Sequence, residues 1–209
     1  MIEYRRRLPH IQPEEATFFV TTRLWGSLPA AIIKQLKAEH DLRLESIERL
    51  ETDPTAKGRA LSDAQKRYFT QFDNQLDRPK NGPYWLAESA IAEITVKAIH
   101  FLHGKDYHLI AFCVMSNHIH LVIDTHELAK RPRPLYKIMQ TLKRYIAGKG
   151  NEFLQRTGSF WQDESYDHVV RNQQELKNII AYTLNNPVKA GLVDTWEEWP
   201  YSYVNEDFL

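Results

Sequence analysis

Tyr107-His-Leu-Ile-Ala-Phe-Cys-Val-Met115 and His118-Ile-His-Leu-Val-Ile-Asp124 are two apolar, aromatic and β-branched runs separated only by Ser116-Asn117. Runs of this length and composition read as strands, and a two-residue break reads as a tight antiparallel hairpin. Side chains alternate faces along a strand, so His118 and His120 share one face while Ile119, Leu121 and Ile123 share the other. The pattern predicts a half-buried strand with its histidines projecting from the sheet surface.

Outward from this hairpin the chain alternates helix and strand. Upstream, residues 87–102 carry Ile91, Ile94, Val96 and Ile99 at helical spacing. Downstream, residues 134–147 form a basic helix that Gly148 and Gly150 should stop. A short strand is expected over 165–171. A last helix over 174–185 should end before Pro187, because the residue before a proline avoids the helical region. Near the start, Ala16-Thr-Phe-Phe-Val-Thr-Thr-Arg23 reads as the first strand. Helices are expected over 29–51 and 61–76, with a loop at 52–58 and a proline- and glycine-rich break at 77–83. The aromatic tail, 196–203, should pack on the body. This order predicts an α+β architecture, an antiparallel sheet with helices packed on it. Residues 29–83 form a helical insertion after the first strand, within a single domain spanning 1–209.

Composition sets limits. With 43% hydrophobic and 26% charged residues, the chain has the makeup of a folded globule. No apolar run approaches the ~20 residues that cross a bilayer, and no apolar stretch follows the N-terminal arginines, so no membrane association and no signal peptide are expected. Cys113 is the only cysteine, which excludes an intrachain disulfide and cysteine zinc clusters. These features point to the cytoplasm. Twenty-seven basic residues balance 27 acidic ones. Yet Lys130, Arg131, Arg133, Lys137, Lys143, Arg144 and Lys149 fall within one stretch that holds no acid. Such a segment is either a solvated helix face or a surface that neutralises phosphates.

Two constellations can carry chemistry. His118 and His120, one strand repeat apart, can hold one divalent cation, although His-x-His alone is a weak signal and also describes two exposed histidines on a half-buried strand. Tyr182 and Asn186 lie four residues apart at a helix end and so share a face. A tyrosine can serve as a nucleophile, and an Asn amide oxygen suits Mg2+ or Mn2+. The bland alternative makes Tyr182 a core residue and Asn186 a helix terminator.

Ordered blocks sharpen the choice: Phe112-Cys-Val-Met-Ser-Asn-His-Ile-His-Leu-Val-Ile123, Gly158-Ser-Phe-Trp-Gln162, Tyr166-Asp-His-Val-Val-Arg-Asn172, Tyr182-Thr-Leu-Asn-Asn-Pro-Val-Lys-Ala-Gly-Leu-Val193 and Trp199-Pro-Tyr-Ser202. Together they closely resemble the REP-associated tyrosine transposases of the HUH single-tyrosine superfamily. Asp77-Arg-Pro-Lys-Asn-Gly-Pro-Tyr-Trp85 matches the longer members.

The resemblance implies a ferredoxin-like sheet, His118 and His120 as metal ligands, and Tyr182 as nucleophile. Asn186 stands where relatives often carry a Gln ligand. Activity on single-stranded DNA hairpins through a 5′-phosphotyrosine is implied as well, by a monomer or a homodimer. Tyr166 is the competing nucleophile. Trp161, with Phe160, is a candidate base stacker, with a core role equally open. Other readings are a replication-initiator or relaxase-like nuclease, a non-catalytic nucleic-acid-binding regulator of the same fold, and a zinc hydrolase. The last lacks a third His or carboxylate nearby in sequence.

Overall fold

The computed structural model describes residues 2–5, 9–13, 15–78, 82–126 and 133–209. Two short strands, β1 (Ile2–Arg5) and β2 (Pro9–Gln12), pair with each other ahead of the expected first strand. Their sequences lack the β-branched run that marks a strand, so the pattern gives no sign of them.

The main sheet has five strands: β3 (Thr17–Arg23), β4 (His108–Val114), β5 (His118–Asp124), β6 (Tyr166–Val169) and β7 (Ser202–Val204). Their order is β6-β3-β5-β4-β7, with every neighbouring pair antiparallel. The helices threaded between them are α3 (Ser89–Leu102) and α4 (Leu135–Phe153). The run β3-α3-β4-β5-α4-β6 is a ferredoxin-like βαββαβ unit, as the sequence blocks imply. The aromatic tail adds β7 at the β4 edge and anchors it with a Trp199 indole N–H donated to the Val114 carbonyl at 3.0 Å.

The two faces of the sheet are covered differently. Ile91 and Ile99 of α3 and Leu135, Ile138, Leu142 and Ile146 of α4 close over Phe18, Val20, Phe112, Val114, Ile119, Leu121 and Ile123. Over the opposite face lies α5 (Gln173–Leu184), whose Tyr182 ring meets Phe19 and His120 edge-on. Strand β5 is therefore buried on both faces, and the expected half-exposed strand is not found. The hydrophobic alternation marks which face holds the larger core but does not reveal a helix laid across the other.

Two helix boundaries differ from expectation for local reasons. Helix α4 runs through Gly148 and Gly150 to Phe153. A glycine costs a helix interior only about 1 kcal/mol, and tertiary packing overrides that. At Gly150 the packing requires the missing side chain, since a Cβ there would sit 2.5 Å from Phe160 Cε2. Helix α5 ends at Leu184, and a new turn, α6 (Asn186–Lys189), starts with Pro187 in its first turn, where the missing N–H costs nothing.

Residues 26–82 form a second compact unit, a pair of helices, α1 (Ala30–Leu50) and α2 (Pro54–Leu76). The expected loop at 52–58 shrinks because Asp53 caps α2, its carboxylate accepting the Ala56 N–H at 2.6 Å, with Pro54 next to it. Among the described residues no helix is long and apolar enough to cross a membrane.

Candidate active site

The site is built on β5 and the end of α5. In β5, His118 stands opposite Arg23 and His120 opposite Thr21 of β3, all on the face that α5 covers. Both imidazoles are buried, His118 at 1% exposure and His120 at 0%. They do not project from an open surface, so truncating either to alanine leaves a cavity and an unpartnered neighbour inside the protein.

Each ring is held at Nδ1. His118 Nδ1 lies 2.7 Å from Asn117 Oδ1, and His120 Nδ1 lies 2.8 Å from Thr21 Oγ1. Asn117 Oδ1 can only accept, so His118 carries its proton on Nδ1 and presents a bare Nε2. This is the orientation that supporting hydrogen bonds give to metal-binding histidines. The two Nε2 atoms are 3.1 Å apart.

Burial pushes the His120 pKa down to about 3. The Lys189 ammonium pushes the same way, and the Asn186 amide opposes both. His120 is therefore a neutral imidazole at physiological pH, the protonation state a metal ligand requires.

Asn186 is 1% exposed and donates its amide N–H to the Tyr182 carbonyl at 3.1 Å. Its Oδ1 is buried with no hydrogen-bond partner among the described residues. An orphaned buried acceptor costs about 1–3 kcal/mol, so an acceptor on the side chain beside His120 fits a third ligand that needs a cation. The separation of the Nε2 pair fits too: adjacent ligands of an octahedral ion with bonds of about 2.1 Å lie about 3 Å apart.

Tyr182 packs its ring on His120 with centroids 5.6 Å apart, and Lys189 Nζ lies 5.8 Å from the Tyr182 ring centre. The competing Tyr166 sits on β6 opposite Thr21, on the same face, and meets Phe19 edge-on. Burial, reinforced by Asp167 and Glu175, pushes its phenol well above the usual tyrosine range.

The basic segment divides. Lys130 and Arg131 lie outside the described residues. Arg133 donates to Asp106 at 2.5 Å and to Thr141 at 2.9 Å. Lys143 donates to the Gln162 and Asp163 carbonyls at 2.6 and 3.1 Å, tying α4 to the following loop, and Lys149 pairs with Glu152. Lys137 and Arg144 are exposed, and neither forms a salt bridge among the described residues. Phe160 and Trp161 are buried at 2% and 6%, with the Trp161 indole N–H on the Lys143 carbonyl at 3.0 Å, which gives them a core role and not a base-stacking one.

Sequence reasoning missed the supporting residues. Thr21 reaches His120 only through strand register, which one sequence does not display. Asn117 was legible as a turn residue but not as the partner of His118. Lys189 was part of a matched block without an assigned role.

A protein family described as IS200-like transposases matches residues 85–186. The matched segment encloses His118, His120 and Tyr182 and ends on Asn186. Two curated relatives are called REP-associated tyrosine transposases. The one from Haemophilus influenzae is 27% identical over 107 residues, 48% of this chain and 61% of the relative. The one from Escherichia coli K12 is 33% identical over 49 residues, 23% of this chain and 30% of the relative. The matches thus span less than two thirds of either relative. A solved REP-associated tyrosine transposase bound to a REP hairpin aligns with 97% of this chain and 82% of its own, at 16% identity and a TM-score of 0.48.

Proposed function

We propose that the chain is a metal-dependent, single-tyrosine strand transferase that cuts single-stranded DNA at REP-like palindromic hairpins through a 5′-phosphotyrosine. The observation that carries this reading is the convergence, on one buried sheet face, of two Nδ1-anchored imidazoles, an orphaned amide oxygen and a tyrosine packed on one of the imidazoles. The names of the curated relatives support a REP-associated transposase reading.

In this reading His118, His120 and Asn186 hold Mg2+ or Mn2+, which supplies positive charge to the scissile phosphate. Thr21 and Asn117 fix the two rings so that both Nε2 atoms point at one place. Tyr182 attacks the phosphorus through its phenolic oxygen. The bond from phosphorus to the 3′-oxygen breaks, the phenol loses its proton, and the leaving 3′-oxygen takes one up. The phosphoester energy is kept in the tyrosine bond, so a 3′-hydroxyl can reverse the step without ATP. In this reading the exposed Lys137 and Arg144 follow the DNA backbone.

Cleavage of single-stranded hairpins with Mn2+ tests the metal requirement. EDTA and His120→Gln should each abolish product. Undiminished cleavage in EDTA would remove the metal from the mechanism.

A further inference from the structure

The helical pair α1–α2 contains a cavity of about 240 Å³ lined by Glu39, His40, Arg43, Arg67, Tyr68 and Gln71 among others. We propose that this cavity binds a phosphate group, with the Arg43 and Arg67 guanidinium groups and the His40 imidazole as donors. The proposal rests on the nucleic-acid reading only for where the phosphate comes from. The two sources are a backbone phosphodiester and free phosphate.

Three observations lead to this ligand class. Arg43 and Arg67, one from each helix, line the same cavity, and neither forms a salt bridge among the described residues. Two guanidinium groups make a cation unwelcome there and favour an oxyanion, which their planar donor forks bind in pairs of hydrogen bonds. His40 supplies the second line. It is 8% exposed, stacks on Tyr68 with centroids 4.5 Å apart and planes 22° apart, and is hydrogen-bonded by the Gln65 side chain, while its Nδ1 is buried with no hydrogen-bond partner among the described residues. A buried ring nitrogen without a partner in the wall of a polar cavity is costly unless something occupies that cavity. The third is the one acid of the lining. The Glu39 carboxylate accepts from Gln35 Nε2 at 2.9 Å, on its own helix, which partly satisfies it. Stacking on Tyr68 limits rotation of the His40 ring.

The test uses the full chain. Inorganic phosphate is titrated while the His40 side-chain resonances are followed by NMR, assigned with His40→Gln. Affinity for a DNA hairpin without terminal phosphates is measured against salt in parallel. Both arms are repeated in the Arg43→Gln/Arg67→Gln double variant. Both arginines are solvent-exposed, and melting curves should show that the variant stays folded.

Phosphate should shift the wild-type His40 signals saturably and leave the double variant unmoved. A backbone source adds a drop of ~0.7 in the slope of log affinity on log salt when single-stranded DNA loses this contact. Loss of the phosphate response with an unchanged slope assigns the site to free phosphate. Absence of a saturable shift in the wild type, together with an unchanged slope in the variant, overturns the proposal. A wild type that binds phosphate but no DNA would leave this site standing and overturn the nucleic-acid function.

Discussion

Replacing Gly150 with alanine should destabilise the protein, whereas the same change two residues earlier in the same helix should stabilise it. Both positions are helical, so alanine gains about 1 kcal/mol of propensity at each. Around Gly148 there is nothing within 4 Å of an added Cβ, so that gain is realised in full. At Gly150 the Cβ meets Phe160 at 2.5 Å and 2.9 Å from two ring carbons. That ring has little room to retreat, being 2% exposed and flanked by Trp85 and Trp161 at centroid distances of 5.2 and 5.0 Å. Overpacking of this kind costs about 1–3 kcal/mol, which outweighs the propensity gain over most of its range. The two variants should therefore differ by roughly 1–3 kcal/mol. At this chain length that is a gap of about 2–12 °C in Tm, read by tryptophan fluorescence. Phe160→Leu should cost stability alone yet recover part of the Gly150→Ala loss, a coupling visible in a double-mutant cycle. If Gly150→Ala melts at or above Gly148→Ala, then α4 does not pass Phe160 this closely, and the account of why the helix continues through its glycines fails.

Other consequences follow from the site and its surroundings. In EDTA, stability should be full above about pH 6.5 and fall as pH drops toward 3. The unfolded chain takes up a proton there that buried His120 refuses, a slope of about 1.4 kcal/mol per pH unit. His120→Gln should flatten that slope in acid denaturation curves, and an unchanged slope would show that His120 is not held neutral by burial. Thr21→Val should weaken Mn2+ binding about 10–100-fold in calorimetry while leaving Tyr182 in place, since it removes only the partner that orients His120. Lys137→Glu with Arg144→Glu should lower the log–log salt slope of DNA binding by ~0.7 per lost single-strand contact. An unchanged slope would place the DNA elsewhere.

The fold was largely legible because its strands are short apolar runs between clear breaks. The β4–β5 hairpin, the order of helices and the packing of the tail on the body follow from that punctuation. The burial of His118 and His120 was not legible, because alternation along β5 says which residues share a face but not that α5 covers it. Cross-strand partners escape for the same reason: Thr21 and His120 are brought together by register, not by spacing. The glycines of α4 misled in a different way. A glycine inside a helical pattern reads as a stop, but Gly150 is needed for its lack of a side chain against Phe160. The basic stretch shows the reverse error, since charge counting cannot tell that Lys143 spends its ammonium on the Gln162 and Asp163 carbonyls.

The central claim is that Tyr182 becomes covalently attached to DNA, and mass spectrometry of the adduct tests it most directly. Wild-type protein, Tyr182→Phe and Tyr166→Phe are each incubated with labelled single-stranded hairpins and Mn2+ and resolved on denaturing gels, and the adduct is digested and sequenced. Phenylalanine keeps the ring that packs on His120 and Phe19, so Tyr182→Phe should fold and bind DNA as the wild type does. The account predicts a nucleotide on the peptide containing Tyr182, an adduct from Tyr166→Phe, and none from Tyr182→Phe. A nucleotide on any other residue, or an adduct that survives Tyr182→Phe, would contradict it.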